Sequence, residues 1–266
     1  MSRTRAMRGA RRQRGISLLV VMIVVLLSSL LALWAFRSSL VNEALVGNDA
    51  DYQRAFEAAQ AMVQDAEMDI RGERADGTSC VGVAAADTSD AAAAAVAGRV
   101  CRIAGALQFP EENKEVIGLL AELDAEPTRC RDGICQKRTG IQDFWADEAT
   151  FNAMTRPSIV SNLPVGARYG QYTGAQPPAA GTPDPAKKDP MVNPLLTESR
   201  DGLGAWYWIE VMPYDTSPGE LLAGRAKLEL NLNPNVVYRI TAVAIGLKPR
   251  TRVVLQSTFV RQKVRN

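Results

Sequence analysis

Apolar and hydroxyl residues alone run from Ile16 to Phe36, ISLLVVMIVVLLSSLLALWAF, with no charge, proline or glycine. At a rise of ~1.5 Å per residue, a helix of this length crosses a hydrocarbon core of ~30 Å. From Arg37 the pattern changes rather than ends. Apolar side chains recur at Val41, Leu45, Tyr52, Phe56, Ala59, Val63, Ala66 and Ile70. Steps of three, four and seven draw one stripe along a helix, and Asp51, Arg54, Glu57 and Gln64 fall on its other face. The pattern predicts one rod in two parts: a transmembrane half-helix at 16–36 and an amphipathic half-helix at 37–71. The first meets lipid and the second meets protein. Gly47-Asn48 is the weak spot, since glycine costs ~1 kcal/mol against alanine inside a helix. A kink or a change of partner is expected there.

Periodicity lapses after Gly72, and residues 72–156 form a variable region. Gly77 to Gly98, with its alanine run Ala91 to Ala95, reads as a short helix or a surface loop. Glu111 to Asp124 carries Val116, Leu119, Leu120 and Leu123 and predicts a short amphipathic helix. Asp143 to Met154, with Phe144, Trp145, Phe151 and Met154, predicts a second one packed on the domain. Eight prolines between Pro157 and Pro194 make 157–204 a long exposed loop. The last third is β-branched, aromatic and partly alternating: Ala205 to Tyr214, Arg225 to Leu232, Val236 to Leu247 and Arg252 to Lys263 read as strands of an antiparallel sheet at 205–266. Such a sheet needs a covered face, and the amphipathic half-helix offers the nearest apolar stripe. The expected fold class is α+β, a long N-terminal helix packed on a C-terminal antiparallel sheet.

Charge refines the picture at the amino end. Residues 1–15 hold six arginines and no acid, which keeps that end in the cytoplasm and places the bulk of the chain outside. The whole chain is +2, so the part after residue 15 carries −4. Basicity is thus a property of the leader, and no basic patch with interleaved aromatics points to nucleic acid. The chain has no histidine, which removes His-based acid–base catalysis, Ser-His and Cys-His pairs and His metal ligation. The carboxylate pairs Glu111-Glu112 and Asp147-Glu148 lie in charged settings without an accompanying motif. No enzymatic activity, cofactor or metal is expected. Cys80, Cys101, Cys130 and Cys135 all fall on the exported side and read as two disulfides with three possible connectivities. A turn at Asp132-Gly133 would bring Cys130 to Cys135, leaving Cys80 for Cys101. A four-thiolate zinc site competes, but neither pair has the usual two-residue spacing.

A secretory signal has its cleavage site after the apolar core. Here the small residue at the junction is Gly15, before the core. Cutting there would leave Ile16 as the mature terminus, an arrangement that resembles the class III leader of type IV prepilins, whose peptidase cuts after the glycine and methylates the next residue. An uncut signal anchor is the alternative. The resemblance becomes specific when both ends are taken together. Arg14-Gly15, Arg37-Ser38-Ser39, Glu43, Gly47-Asn48 and RAFEAAQA (Arg54 to Ala61) at one end join YWIE (Tyr207 to Glu210), YRITA (Tyr238 to Ala242) and VVLQSTF (Val253 to Phe259) at the other. In these segments the chain resembles the PilX minor pilin family of type IV pilus systems.

That resemblance implies a pilin helix with a globular head, and a role in the minor-pilin complex that primes pilus assembly and sits at the tip. The implied partners are other minor pilins, the major pilin, an adhesin-like tip protein, the prepilin peptidase and the lipid bilayer. The implied location is the inner membrane, single-pass, with the head in the periplasm, and then the pilus tip. Val20 departs from the major pilins, which carry a glutamate at this fifth mature position. A carboxylate in lipid is costly and is kept for a function, in the filament a contact to a neighbouring terminal amine. A subunit lacking it suits the distal end. Gln60 is a second departure, where many relatives carry glutamate. A minor pseudopilin of type II secretion and an uncut periplasmic scaffold are the alternative readings.

Overall fold

The computed structural model describes residues 16–80, 102, 105–176, 193–214, 232, 234–248 and 250–262. The arginine leader with Gly15, the alanine run, Cys101, the middle of the proline-rich stretch and nearly all of the expected strand Arg225 to Leu232 lie outside the described residues. One helix, α1 (Ile16–Arg71), spans 56 residues and runs through Gly47-Asn48 without a break. Two compact units meet at Asp49 and Ala50. The first ends at Asp49 and holds the apolar part of α1; the second, from Ala50 onward, is here called the head.

The head is built on a five-stranded sheet in the order β1-β2-β3-β4-β5. Its strands are β1 (Cys130–Arg131), β2 (Ile134–Gln136), β3 (Gly204–Pro213), β4 (Val236–Ile245) and β5 (Arg252–Phe259). The antiparallel meander β3-β4-β5 matches three of the four expected strands, with Tyr207 opposite Ala242 and Ala242 opposite Leu255. The sheet is larger than expected from 205–266 alone. The cysteine loop supplies the hairpin β1-β2, and β2 joins β3 in parallel register, Ile134 beside Ile209. Asp132 (φ 55) and Gly133 (φ 77) make the tight hairpin turn, the left-handed pair that the twist of two strands favours. A Cβ on Gly133 would come within 2.7 Å of the Ala167 Cβ, so the position excludes larger residues twice over.

Period-two alternation assigns the faces. Ala205, Tyr207, Ile209 and Val211 of β3 join Tyr238, Ile240, Ala242 and Ala244 of β4 in a core with Ala55, Ala58, Ala59, Met62, Ala66 and Ile70 of α1. The helix α2 (Asn113–Asp124) adds Val116, Leu119 and Leu123 to that core. Trp206, Trp208 and Val243 point to the opposite face, where Cys130, Cys135, Phe144, Phe151, Met154 and Val165 cover them. Both faces are therefore buried, which is why the five residues Ala205 to Ile209 are apolar or aromatic without alternation. The second expected helix is shorter than its sequence reading. Residues 144–147 form a turn, and α3 (Glu148–Thr155) starts where the Asp147 carboxylate caps Thr150 N–H at 2.8 Å. An N-cap acceptor competes with helix formation at its own position.

The stretch from Pro157 was expected to be an exposed loop, and its first part is not. Val165, Ala167, Tyr172 and Thr173 are buried, and Ala167 bonds Tyr207 in both directions at 3.0 Å. Gly166 permits this, since a Cβ there would meet the Trp208 indole at 2.7 Å. Proline forbids a continuing ladder but not a buried, side-chain-anchored coil. At the far end of the stretch, α4 (Pro194–Thr197) buries Leu195.

Candidate assembly surfaces

Through the first unit of α1 the large apolar side chains are outward-facing. Leu18 is 71% exposed, Leu30 68% and Phe36 71%. This helix is long and apolar enough to cross a membrane. Its side-chain polar groups before Arg37 are the hydroxyls of Ser17, Ser28 and Ser29 and the indole N–H of Trp34. Ser28 Oγ donates to Val24 O at 2.7 Å and Ser29 Oγ to Val25 O at 2.8 Å. Those hydroxyls are satisfied inside the helix and need no partner in lipid. Ile16 is the first described residue of α1. Val20 is 50% exposed on the helix surface, and no ionisable side chain lies between Ile16 and Phe36.

The outward surface extends further than the amphipathic reading allowed. Val41 and Leu45, assigned to the head-facing stripe, are 52% and 61% exposed, and Tyr52 is exposed as well. The buried face of the second half is centred about one residue away, on Asp51, Ala55, Ala58, Ala59, Met62, Asp65, Ala66 and Asp69. Size decides this. Alanines let the helix approach the sheet and fill between Tyr207, Tyr238 and Ile240, while Phe56 and Val63 flank the contact half-buried.

Three aspartates consequently lie inside, and Asp51 is not on the solvent face where the sequence put it. Each anchors a different part of the head. Asp51 accepts Leu247 N–H at 2.9 Å and Lys248 N–H at 3.0 Å, the turn between β4 and β5. Burial works against its charge, but these bonds outweigh burial and hold the carboxyl below its usual range. Asp65 accepts Gly170 N–H at 2.8 Å and the Thr173 hydroxyl. There burial dominates and pushes the carboxyl up to about 7. Asp69 takes Arg102 Nε at 2.8 Å and Nη2 at 2.6 Å, with Tyr207 Oη donating at 2.8 Å. The Arg102 guanidinium lies 4.0 Å from the centre of the Tyr172 ring and also donates to Leu107 O at 2.9 Å. Tyr172 Oη in turn reaches Asp132 Oδ1 at 3.1 Å. A buried polar chain thus ties α1 to Arg102 and Leu107, the hairpin turn and coil 170–173.

Cys130 and Cys135 are joined by a disulfide between β1 and β2, both 1% exposed. Cys80 is disulfide-bonded as well, and Cys101 lies outside the described residues. Among the described residues no group of three or more His, Cys, Asp or Glu could hold a metal ion. Cys130→Ser with Cys135→Ser opens a loop of about six residues, which is expected to cost about 2 kcal/mol by the chain-entropy relation. Urea unfolding followed by tryptophan fluorescence checks this, since Trp206 and Trp208 pack on the pair.

The sequence reading missed the buried aspartates, yet their signal is present. Asp51, Ala55, Ala58, Met62, Asp65 and Asp69 step by four, three, four, three and four, a strict helical stripe one residue from the bulky one. Aspartate in that stripe argued against burial only because its partners lie far along the chain.

Two family descriptions match the chain. "PilX N-terminal" covers residues 14–64 and "Type IV pilus assembly protein PilX C-term" covers residues 131–261. Together they take in roughly two thirds of the sequence. The chain belongs to the PilX family of type IV pilus assembly proteins. No curated protein and no solved structure matches it. The PilX N-terminal match begins at Arg14, holds the Gly15-Ile16 junction and the whole apolar segment, and ends within the head-packed part of α1. The PilX C-terminal match begins inside the cysteine hairpin and takes in the rest of the sheet. In a PilX protein the long apolar helix is consistent with a membrane anchor.

Proposed function

We propose that this PilX-family chain is a minor pilin that primes type IV pilus assembly and takes the distal position in the filament. In this reading the prepilin peptidase removes residues 1–15 and methylates Ile16. The arginine leader holds the N-terminus in the cytoplasm while the head lies in the periplasm. The helix then leaves the inner membrane as the pilus grows. Lipid and filament core are similarly apolar, so the hydrophobic effect does not drive that transfer; helix packing and head contacts do. The partners are other minor pilins, the major pilin below and an adhesin-like protein at the tip. The protein acts as a structural subunit and not as an enzyme.

The observation that carries the distal position is Val20 in a segment with no ionisable side chain. A carboxylate there would pair with the terminal amine of a neighbouring subunit. Its replacement by valine removes a contact that only non-terminal subunits require. The test is mass spectrometry of sheared pili combined with immunogold labelling. The expected results are a chain beginning at N-methyl-isoleucine 16 and label at one end of each filament. An intact leader would make the protein an uncut anchor, and label along the shaft would remove the distal assignment.

A further inference from the structure

An open groove of about 520 Å³ lies beside the cysteine hairpin, lined by Thr128, Arg129, Gln136, Lys137, Arg138 and Thr139. Its charge runs against the rest of the molecule, because the chain beyond residue 15 carries −4. Three cations line it, and among the described residues none of them is held in a buried ion pair. Glu210 acts on Arg138, but its carboxylate is taken by Arg239 Nε at 2.5 Å and by Arg138 N–H at 3.0 Å. The Arg138 guanidinium instead lies 4.4 Å from the centre of the Phe144 ring and donates to Met154 Sδ at 2.8 Å. That fixes a charged fork at the groove without neutralising it. Lys137 has no ion pair among the described residues and is exposed. Arg129 meets Asp124 at 3.6 Å with both side chains about half exposed, a solvent-screened pair that gives way readily. The acid in the lining, Asp147, is committed to Thr150 N–H and Oγ1 at 2.8 and 2.6 Å.

We propose that this groove receives the carboxylate side chains of an acidic peptide segment on a neighbouring pilus subunit. The proposal rests on the assembly role above and names the chemistry of one partner. Three cations with short neutral donors suit several carboxylates in a row, and an arginine fork binds a carboxylate with two parallel bonds. An acidic saccharide fits less well. Phe144 is the aromatic residue of the lining, and it is 4% exposed with Arg138 on its ring, so no open ring face is offered to a sugar. Ile141, 79% exposed at the rim, adds apolar contact for a peptide.

The experiment uses the full chain in detergent micelles and a fluorescent octaglutamate peptide, with octaserine, oligogalacturonate and inorganic phosphate as comparisons. Octaglutamate is expected to bind in preference to all three and to weaken as salt rises. Arg129→Gln with Lys137→Gln should weaken it at least threefold, and adding Arg138→Gln at least tenfold. The double variant alters only exposed side chains, so it reports even where the triple variant unfolds. Unchanged affinity in the double variant overturns the proposal, as does tighter binding of oligogalacturonate or phosphate. Failure here is separable from failure of the assembly role: normal pili in cells lacking the protein would remove that role while leaving the peptide measurement intact.

Discussion

Asp69→Ala is expected to destabilise the head by about 3–5 kcal/mol, the range for removing one member of a buried ion pair. Arg102 and Asp69 have side chains only 5% and 2% exposed, so truncation leaves a guanidinium and the Tyr207 hydroxyl without their acceptor. Desolvation opposes the arginine's charge, but the facing carboxylate more than compensates and raises its pKa. Removing Asp69 takes that support away, but a guanidinium keeps its proton at any ordinary pH, so the loss is that of an uncompensated buried charge. The pair itself contributes far less net stability than its rupture removes. Asp69→Leu with Arg102→Met should accordingly recover most of the loss. Tyr207→Phe should cost only about 1 kcal/mol, since Asp69 keeps both arginine bonds. Urea midpoints of the four proteins, read by tryptophan fluorescence, form the test. A loss below about 1 kcal/mol in Asp69→Ala would mean that the link from α1 to Arg102 does not hold the head together.

Asp65→Asn is expected to make the head more stable than the parent above pH 7, by roughly 2–4 kcal/mol. Burial holds the Asp65 carboxyl at about 7 in the folded protein, against an ordinary value of 3.8. Between these values the folded state keeps a proton that the unfolded chain has released. The stability associated with this group is thus fully present below about pH 4 and declines as pH rises towards 7, at up to ~1.4 kcal/mol per pH unit. Asparagine keeps an oxygen for Gly170 N–H, offers its amide to Thr173 Oγ1 and does not titrate. The two proteins should differ least at pH 4 and most at pH 8. Parallel stability profiles over that range would show that Asp65 is solvated, contrary to its burial.

Much of this protein is written locally. The apolar run Ile16 to Phe36, the meander of β3, β4 and β5, the short helix ending at Asp124 and the Asp132-Gly133 turn all follow from spacing and turn chemistry over a few residues. The PilX relationship was equally legible, because the residues that carry it lie in those same segments. Other features were misread for one reason. Val41 and Leu45 looked like the head-facing stripe of α1, and Asp51 like its surface, when each was judged by its own polarity. The early part of the proline-rich stretch looked exposed because proline excludes ladders, although Ala167 and Tyr172 have distant neighbours to bury them.

By itself, then, the sequence determined the long helix, the short helix ending at Asp124, the strands β3, β4 and β5, the apolar anchor with its uncharged twentieth position, and the family. Tertiary structure decided which face of α1 turns inward, that both faces of the sheet are covered, and that β2 enters the sheet in parallel beside β3. The physical reason is range. A helical period or a turn is fixed by neighbours, whereas burying a carboxylate is tolerable only with partners in place. For Asp69 those partners are 33 and 138 residues away.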